Sequence, residues 1–387
     1  MMSRYMSREP VLQTQGFVGR QVELAWLADM LGRPSPQNCN LIGEPRIGKS
    51  SLLAQVAARP LGIPPGEVGL AVLLRLAELP DHRARTFWHE LLVRLDQAQQ
   101  AAGLGLEIET AVPADGEADE DARALFDLLD EAIESLFAET ACRRILFLID
   151  DFDLLLRGFT SRDLDWLRAL ATRYTESLAF VITSNESLVT LSDKLMRREK
   201  IEMPVSPFAN MFHSRALALL PVEEAVQLCQ ETAVAERQAP LTATEIEFLL
   251  RDAGRQPALL KIALGYLFEA RQYEQKEKVL PTVAGDLRLD EQVGWLCRQL
   301  WQRRTAEEQV ALTALLQGGD EIEPILLNRL KKYVGVVEER NGRLTLFADL
   351  FAYGIQRELG MEGKEEGRTA VSPAGEFTYC LINVCFI

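Results

Sequence analysis

Residues 43–50 read Gly43-Glu44-Pro45-Arg46-Ile47-Gly48-Lys49-Ser50, which satisfies the phosphate-loop pattern G-x-x-x-x-G-K-[S/T] at every required position. The pattern constrains the fold through what such a loop must do. Glycines at 43 and 48 let the backbone across Glu44, Pro45, Arg46 and Ile47 curl into a nest whose N–H groups face phosphate oxygens. Lys49 adds a positive charge on the β- and γ-phosphates, and the Ser50 hydroxyl is placed to ligate Mg²⁺. A helix expected over 51–58, opening at Ser51, puts the positive end of its dipole under the same phosphates. An ordinary glycine-rich turn is the alternative. A loop of this kind leaves a buried strand, for which residues 38–42 supply only a short apolar lead-in.

A second feature completes the site. Arg144-Ile145-Leu146-Phe147-Leu148-Ile149-Asp150-Asp151 is a continuous apolar run closed by two carboxylates, as in a central parallel strand covered on both faces. Open α/β sheets place ligand chemistry at the carboxyl ends of such strands. Asp150 is expected to hold Mg²⁺, directly or through water, and Asp151 to orient or deprotonate an attacking water. A solvated cap on the following helix is the alternative for Asp151 and for Asp153. Thr183-Ser184-Asn185 ends another strand, and the paired donor and acceptor of Asn185 suit it to a γ-phosphate or the attacking water. Its alternative is a cap for the segment opening at Glu186.

Alternating strands and helices predict an α/β doubly wound parallel sheet of the P-loop NTPase kind. Helices are expected near 24–31, 86–100, 119–138 and 163–174, and strands at 68–76 and 178–183. From about Ala216 the strands stop, and 222–237, 242–253 and 257–273 read as an all-α lid, with a capping box at Thr242-Ala243-Thr244-Glu245. Helices at 305–317 and 324–333, a hairpin about Asn341-Gly342 and a helix over 349–359 form a winged-helix-like arrangement. The expected division is a leader (1–15), an ATPase core (16–212), a lid (213–280), a winged-helix-like unit (281–359) and a tail (360–387).

Composition bounds the partners. The chain has 387 residues, 48% hydrophobic and 26% charged, with net charge −15, so as a whole it repels a phosphate backbone. Nucleic acid is therefore disfavoured as a partner, although Arg197-Arg198 and Lys331-Lys332 form local basic pairs. No apolar stretch reaches the roughly 18–20 residues that span a bilayer, and Arg4, Arg8 and Glu9 interrupt any signal-peptide core. Six scattered cysteines without a C-x-x-C pair read as reduced thiols, so a cytoplasmic location is expected. Three histidines are too few and too far apart for a metal cluster. The apolar segment 377–387 is too short to cross a membrane and suits a sheet edge or a partner's groove, or begins a domain that is cut short.

In their order these pieces resemble the STAND class of P-loop ATPases within the wider AAA+ group, over roughly residues 16–359. The resemblance rests on Phe17-Val18-Gly19-Arg20-Gln21-Val22-Glu23-Leu24, the phosphate loop, Ile149-Asp150-Asp151, and Thr183-Ser184-Asn185 as sensor 1. Ser206-Pro207-Phe208, Leu220-Pro221-Val222-Glu223-Glu224-Ala225 and Gly254-Arg255-Gln256-Pro257 lead into and through the lid. It implies that the Val18–Gly19 backbone lies beside adenine and that Pro257 presses on the nucleotide from the lid. Members generally act as switches, closed with ADP and open or oligomeric with ATP, in signalling, transcription control or defence.

Three departures stand out. Arg255 replaces the glycine of the lid's G-x-P element and either contacts phosphate or faces solvent. Ala348 of Phe347-Ala348-Asp349 occupies the place of a phosphate-sensing His. Asp151 stands where related ATPases more commonly carry Glu, so nucleotide binding follows from these residues and hydrolysis is the further expectation. No 20–50-residue repeat is found. The expected function is an ATP-binding, slowly hydrolysing switch using ATP/ADP and Mg²⁺, with a protein partner or self-association in the ATP state. Its rivals are a DNA-handling AAA+ ATPase with a winged-helix reader and a scaffold that keeps nucleotide without turning it over.

Overall fold

The computed structural model describes residue 11 and residues 16–59, 62–63, 66–111, 118–199, 207–319, 321–340 and 342–361. All of the expected leader but residue 11, residues 112–117, Ser206, Asn341 and nearly all of the tail, with its two cysteines, lie outside the described residues.

Five parallel strands form the main sheet: β1 (Asn38–Gly43), β2 (Val68–Arg75), β3 (Cys142–Asp150), β4 (Leu178–Ser184) and β5 (Phe212–Leu217), in the order β2-β3-β4-β1-β5. Period-two alternation divides β3 between two cores. Leu146 and Leu148 face α1 (Gln21–Leu31) and α2 (Lys49–Ala58). Ile145, Phe147 and Ile149 face the layer of α3 (Ala84–Ala101), α4 (Ala118–Glu139), α5 (Ser161–Arg173) and α6 (Leu188–Glu199). Helices on both faces make this the expected doubly wound, P-loop NTPase-like sheet.

The interior strand β1 has a weak apolar signal because it carries two asparagines, whose Oδ1 atoms are bonded sideways while Asn40 Nδ2 is buried without a partner. Asn38 Oδ1 accepts from the Phe180 amide at 2.8 Å, and buried Asn40 accepts from Ser184 Oγ at 3.0 Å. Strand β5 is absent from the sequence reading. It pairs only with β1, at the sheet edge, and its His213 and Ser214 are exposed, so no apolar run marks it.

A helical region follows: α7 (Val222–Ala235), α8 (Ala243–Asp252), α9 (Pro257–Tyr273), α10 (Val279–Leu289), α11 (Glu291–Gln302) and α12 (Ala306–Leu316). After α13 (Pro324–Asn328) the chain makes a π-helical turn over Arg329–Val334 and an antiparallel hairpin of β6 (Val337–Arg340) and β7 (Arg343–Leu346). It closes with α14 (Asp349–Glu358). The capping box at Thr242 and Glu245 opens α8 as expected. Helices α10 and α11 carry Pro281, Gly285 and Gly294, which conceal them in the sequence. Pro281 is tolerated in the first turn of α10, where amides lack helical partners anyway. One core joins this whole region, with Leu259 and Leu264 of α9 packed alongside Leu296, Leu312, Phe347 and Phe351.

Candidate nucleotide site

The loop after β1 turns back at the carboxyl end of the sheet and enters α2 at Lys49, two residues earlier than the sequence suggests. Gly48 has φ 103°, which a side chain would strain. A Cβ on Gly43 would lie 2.8 Å from Ile47 Cγ2 and 3.2 Å from the Leu217 carbonyl of β5. The neighbouring edge strand therefore imposes one glycine and the turn imposes the other.

Lys49 is buried. Its Nζ donates to the Gly43 carbonyl at 2.9 Å, the Glu44 carbonyl at 3.2 Å and Asn185 Oδ1 at 2.9 Å. Burial pulls the ammonium below its ordinary pKa, and the charges of Asp151, Asp153, Asp150 and Glu44 oppose that pull. A buried cation bonded to neutral oxygens at the head of a helix is suited to anionic phosphate oxygens. Ser50 is half-buried in the first turn of α2, while Ser51 Oγ accepts from the Val11 amide at 2.9 Å.

The facing wall comes from β3 and β4. Asp150 is buried, and its Oδ1 accepts from Thr183 Oγ1 at 2.6 Å. The same hydroxyl oxygen accepts from the Asp151 amide at 2.8 Å. Asp151 adopts a left-handed conformation (φ 57°) before a 3₁₀ turn that its side chain does not cap. Burial, and then the charge of Asp150, push its carboxyl above the ordinary value while Lys49 pulls it down. Asp153 accepts from the Asn185 amide at 2.8 Å and from Asn185 Nδ2 at 3.1 Å. It holds Asn185 and is no solvated cap. Asn185 is likewise no cap, since Ser187 Oγ accepts from the Thr190 amide at the head of α6.

Among the described residues no group of three acidic, histidine or cysteine side chains could hold a metal ion. A hydroxyl and one or two carboxylates, with phosphate oxygens completing the shell, is a donor set that fits Mg²⁺. Ser50 and Asp150 supply such a set.

The helical region closes over the loop. Glu224 of α7 accepts from the amides of Arg20 and Gln21 at 2.8 and 3.2 Å, and Arg20 Nη2 reaches the Ile47 carbonyl at 2.8 Å. Val18 packs on the helical core, and a Cβ on Gly19 would meet Glu224 at 2.7 Å. These contacts set Val18 and Gly19 against the helical region, next to Arg20, which reaches the loop. Gln256 Nε2 donates to the Arg46 carbonyl at 3.1 Å, while its Oε1 caps α9 at the Leu259 amide. Pro257 follows it as the first residue of α9. Arg255 takes neither of its expected roles. It pairs with Glu338 at 2.9 Å and donates to the Leu220 carbonyl at 2.6 Å.

Sequence reasoning placed the Glu44 backbone in the phosphate loop but missed the arginines that its carboxylate meets. Arg303 and Arg304, between α11 and α12, both pair with the Glu44 carboxylate, Arg303 at 3.1 Å. Arg303 Nη2 also donates to the Asn185 carbonyl at 2.7 Å. Arg304 approaches Glu308 at 4.0 Å, and Glu308 pairs with Arg329 at 2.7 Å. The available signal was the Arg303-Arg304 doublet just before the Thr305/Glu308 capping box.

Residues 16–182 match the family described as AAA ATPase domain, a span that contains the phosphate loop and Asp150. No curated protein matches the chain. Among solved structures, the Walker-type ATPase PABY2304 of Pyrococcus abyssi is 16% identical, with 91% of this chain and 99% of that chain covered and a TM-score of 0.50. The Aeropyrum pernix ORC2 protein in its ADP form is 14% identical, with 93% and 98% covered and a TM-score of 0.53. At such identities the likeness is one of fold, a P-loop sheet followed by a helical region.

Proposed function

We propose that this chain is a nucleotide-dependent switch of the STAND type in signalling or defence, binding Mg-ATP and hydrolysing it slowly. One observation carries the reading. Lys49 of α2 and Arg303 of the helical region both bond to Asn185, so whatever sits against the sensor is felt by the helical region. A ligand shifts a two-state protein only by its differential affinity for the two states. The γ-phosphate distinguishes ATP from ADP, and Lys49, Asn185 and Arg303 surround its expected place.

In this reading Mg²⁺, held by Ser50 and Asp150, neutralises charge on the phosphates. Asp151 takes the proton of the attacking water, and Asp153 keeps Asn185 oriented toward Lys49. Gln256 and Pro257 carry the state of the loop into α9. The helices α12, α13 and α14 with the β6–β7 hairpin act as a winged-helix-like output unit, continuous with the lid through their common core.

The rival reading, a DNA-handling ATPase with a winged-helix reader, meets a specific obstacle. The candidate recognition helix is only Pro324–Asn328 before the π turn, and Arg329 and Lys331 pair with Glu308 and Glu339. Protein–protein output suits these neutralised charges better.

The test is fluorescent-ATP binding with phosphate release, on the full chain and on Lys49→Ala and Asp151→Asn. Binding lost only in Lys49→Ala, with turnover lost in both, is expected. Turnover untouched in Asp151→Asn would leave a bound-nucleotide scaffold.

A further inference from the structure

Glu44 sits at a variable position of the phosphate loop, where the G-x-x-x-x-G-K-[S/T] pattern asks for no acid. An acid there places a negative charge beside phosphates, which by itself opposes nucleotide binding. Its carboxylate is buried, with 7% of the residue exposed, and grips both Arg303 and Arg304. Its backbone carbonyl, on the same residue, accepts from Lys49 Nζ at 3.2 Å.

Arg303 is the movable partner. It is a quarter exposed, whereas Arg304 is 4% exposed and lies against Glu308. The second hand of Arg303 already rests on the Asn185 carbonyl, on the residue whose side chain touches Lys49. It lies close enough for its charge to act on Asp153. A short swing of a long side chain would exchange a carboxylate partner for a phosphate one, since a guanidinium binds either in the same forked geometry.

We propose that Glu44 is a placeholder for the terminal phosphate of a nucleoside triphosphate: it holds Arg303 until the γ-phosphate takes that guanidinium away. The exchange removes one of the two guanidinium partners of Glu44, at the head of the ion-pair chain that runs on through Arg304 and Glu308 to Arg329. A diphosphate lacks the group that wins Arg303 and leaves the chain closed. This inference rests on the nucleotide-switch reading and assigns its regulation to one residue pair.

The experiment is a double-mutant cycle on the full chain with fluorescent ATP and ADP, using Glu44→Gln, Arg303→Ala and the double variant. Thermal melts first establish that each folds. Glu44→Gln keeps the side chain's shape and removes its charge. It should raise the affinity for ATP over ADP about tenfold, the effect of one charge at a few ångströms in a partly buried site. Arg303→Ala should lower that preference, and in the Arg303→Ala background the gain from Glu44→Gln should vanish. A gain equal for ATP and ADP, or one that persists without Arg303, overturns the exchange while leaving ATP binding intact. Wild-type protein that binds ATP no better than Lys49→Ala overturns the switch reading itself, and the exchange with it.

Discussion

Asp153 accepts from both the backbone amide and the side-chain amide of Asn185, at 2.8 and 3.1 Å. This two-point hold leaves Asn185 Oδ1 directed at Lys49 Nζ, 2.9 Å away. The carboxylate two residues beyond Asp151 is thus a positioning residue for Asn185. Replacing it with Ala should release Asn185 and lower ATP turnover about tenfold to a hundredfold, on the scale of lost hydrogen bonds to a charged group. Affinity for ADP should change far less. Steady-state phosphate release with fluorescent-ADP titration checks this, and equal losses in both would contradict it.

Asp151 gives a pH signature. Burial and the charge of Asp150 hold its carboxyl above the ordinary value of 3.8. A raised carboxyl pKa means that folding favours the protonated form. Ionised Asp151 therefore weakens the fold at neutral pH, and the penalty fades as pH falls through the raised value toward 3.8. Asp151→Asn should raise the melting temperature near neutral pH, with the gain shrinking as the solution is acidified. The same change should cut turnover by about 10²–10⁴-fold through loss of the base. A variant that melts no higher than wild type at neutral pH would contradict the raised pKa.

Much of this site is written locally in the chain. The phosphate loop, the apolar strand ending in Asp150 and the polar end of β4 each sit within a few residues, and each marks its own place on the sheet. The contacts that the sequence conceals are long-range. Glu44 meets Arg303 and Arg304 across more than 250 residues, and Glu224 meets Arg20 across 204; no periodicity encodes such pairs. Strand β5 is hidden for another reason, because an edge strand needs only one neighbour and tolerates polar residues. Helices α10 and α11 are hidden by a proline and two glycines that their positions allow.

Glu224 serves α1 as a cap supplied from α7. Arg20 opens the helix in a left-handed conformation without a side-chain cap of its own, and the Glu224 carboxylate takes the free amides of Arg20 and Gln21. Glu224→Ala should cost about 0.5–2 kcal/mol, the usual range for a lost cap. Glu224→Gln keeps an acceptor and should recover most of it. Urea denaturation of the two variants decides; identical midpoints for both would refute the capping role.

Gly254 is where the turn between α8 and α9 meets the Phe347-Ala348-Asp349 segment. It has φ +65°, and a Cβ there would lie 2.5 Å from the Phe347 carbonyl oxygen and 2.6 Å from the Phe347 ring. Gly254→Ala should destabilise the helical region by about 1–3 kcal/mol, through left-handed strain and the forced separation of α8 from β7. An unchanged denaturation midpoint would show that the two segments part without cost.

The central claim is that nucleotide state sets the conformation of the whole chain. Its most direct test is size-exclusion with light scattering and small-angle X-ray scattering, run with ADP and with a non-hydrolysable ATP analogue, with Lys49→Ala as control. A change in mass or radius of gyration that appears with the ATP analogue, is absent with ADP and disappears in Lys49→Ala is the expected result. Identical mass and shape in both nucleotides, with both shown to be bound, would contradict the switch.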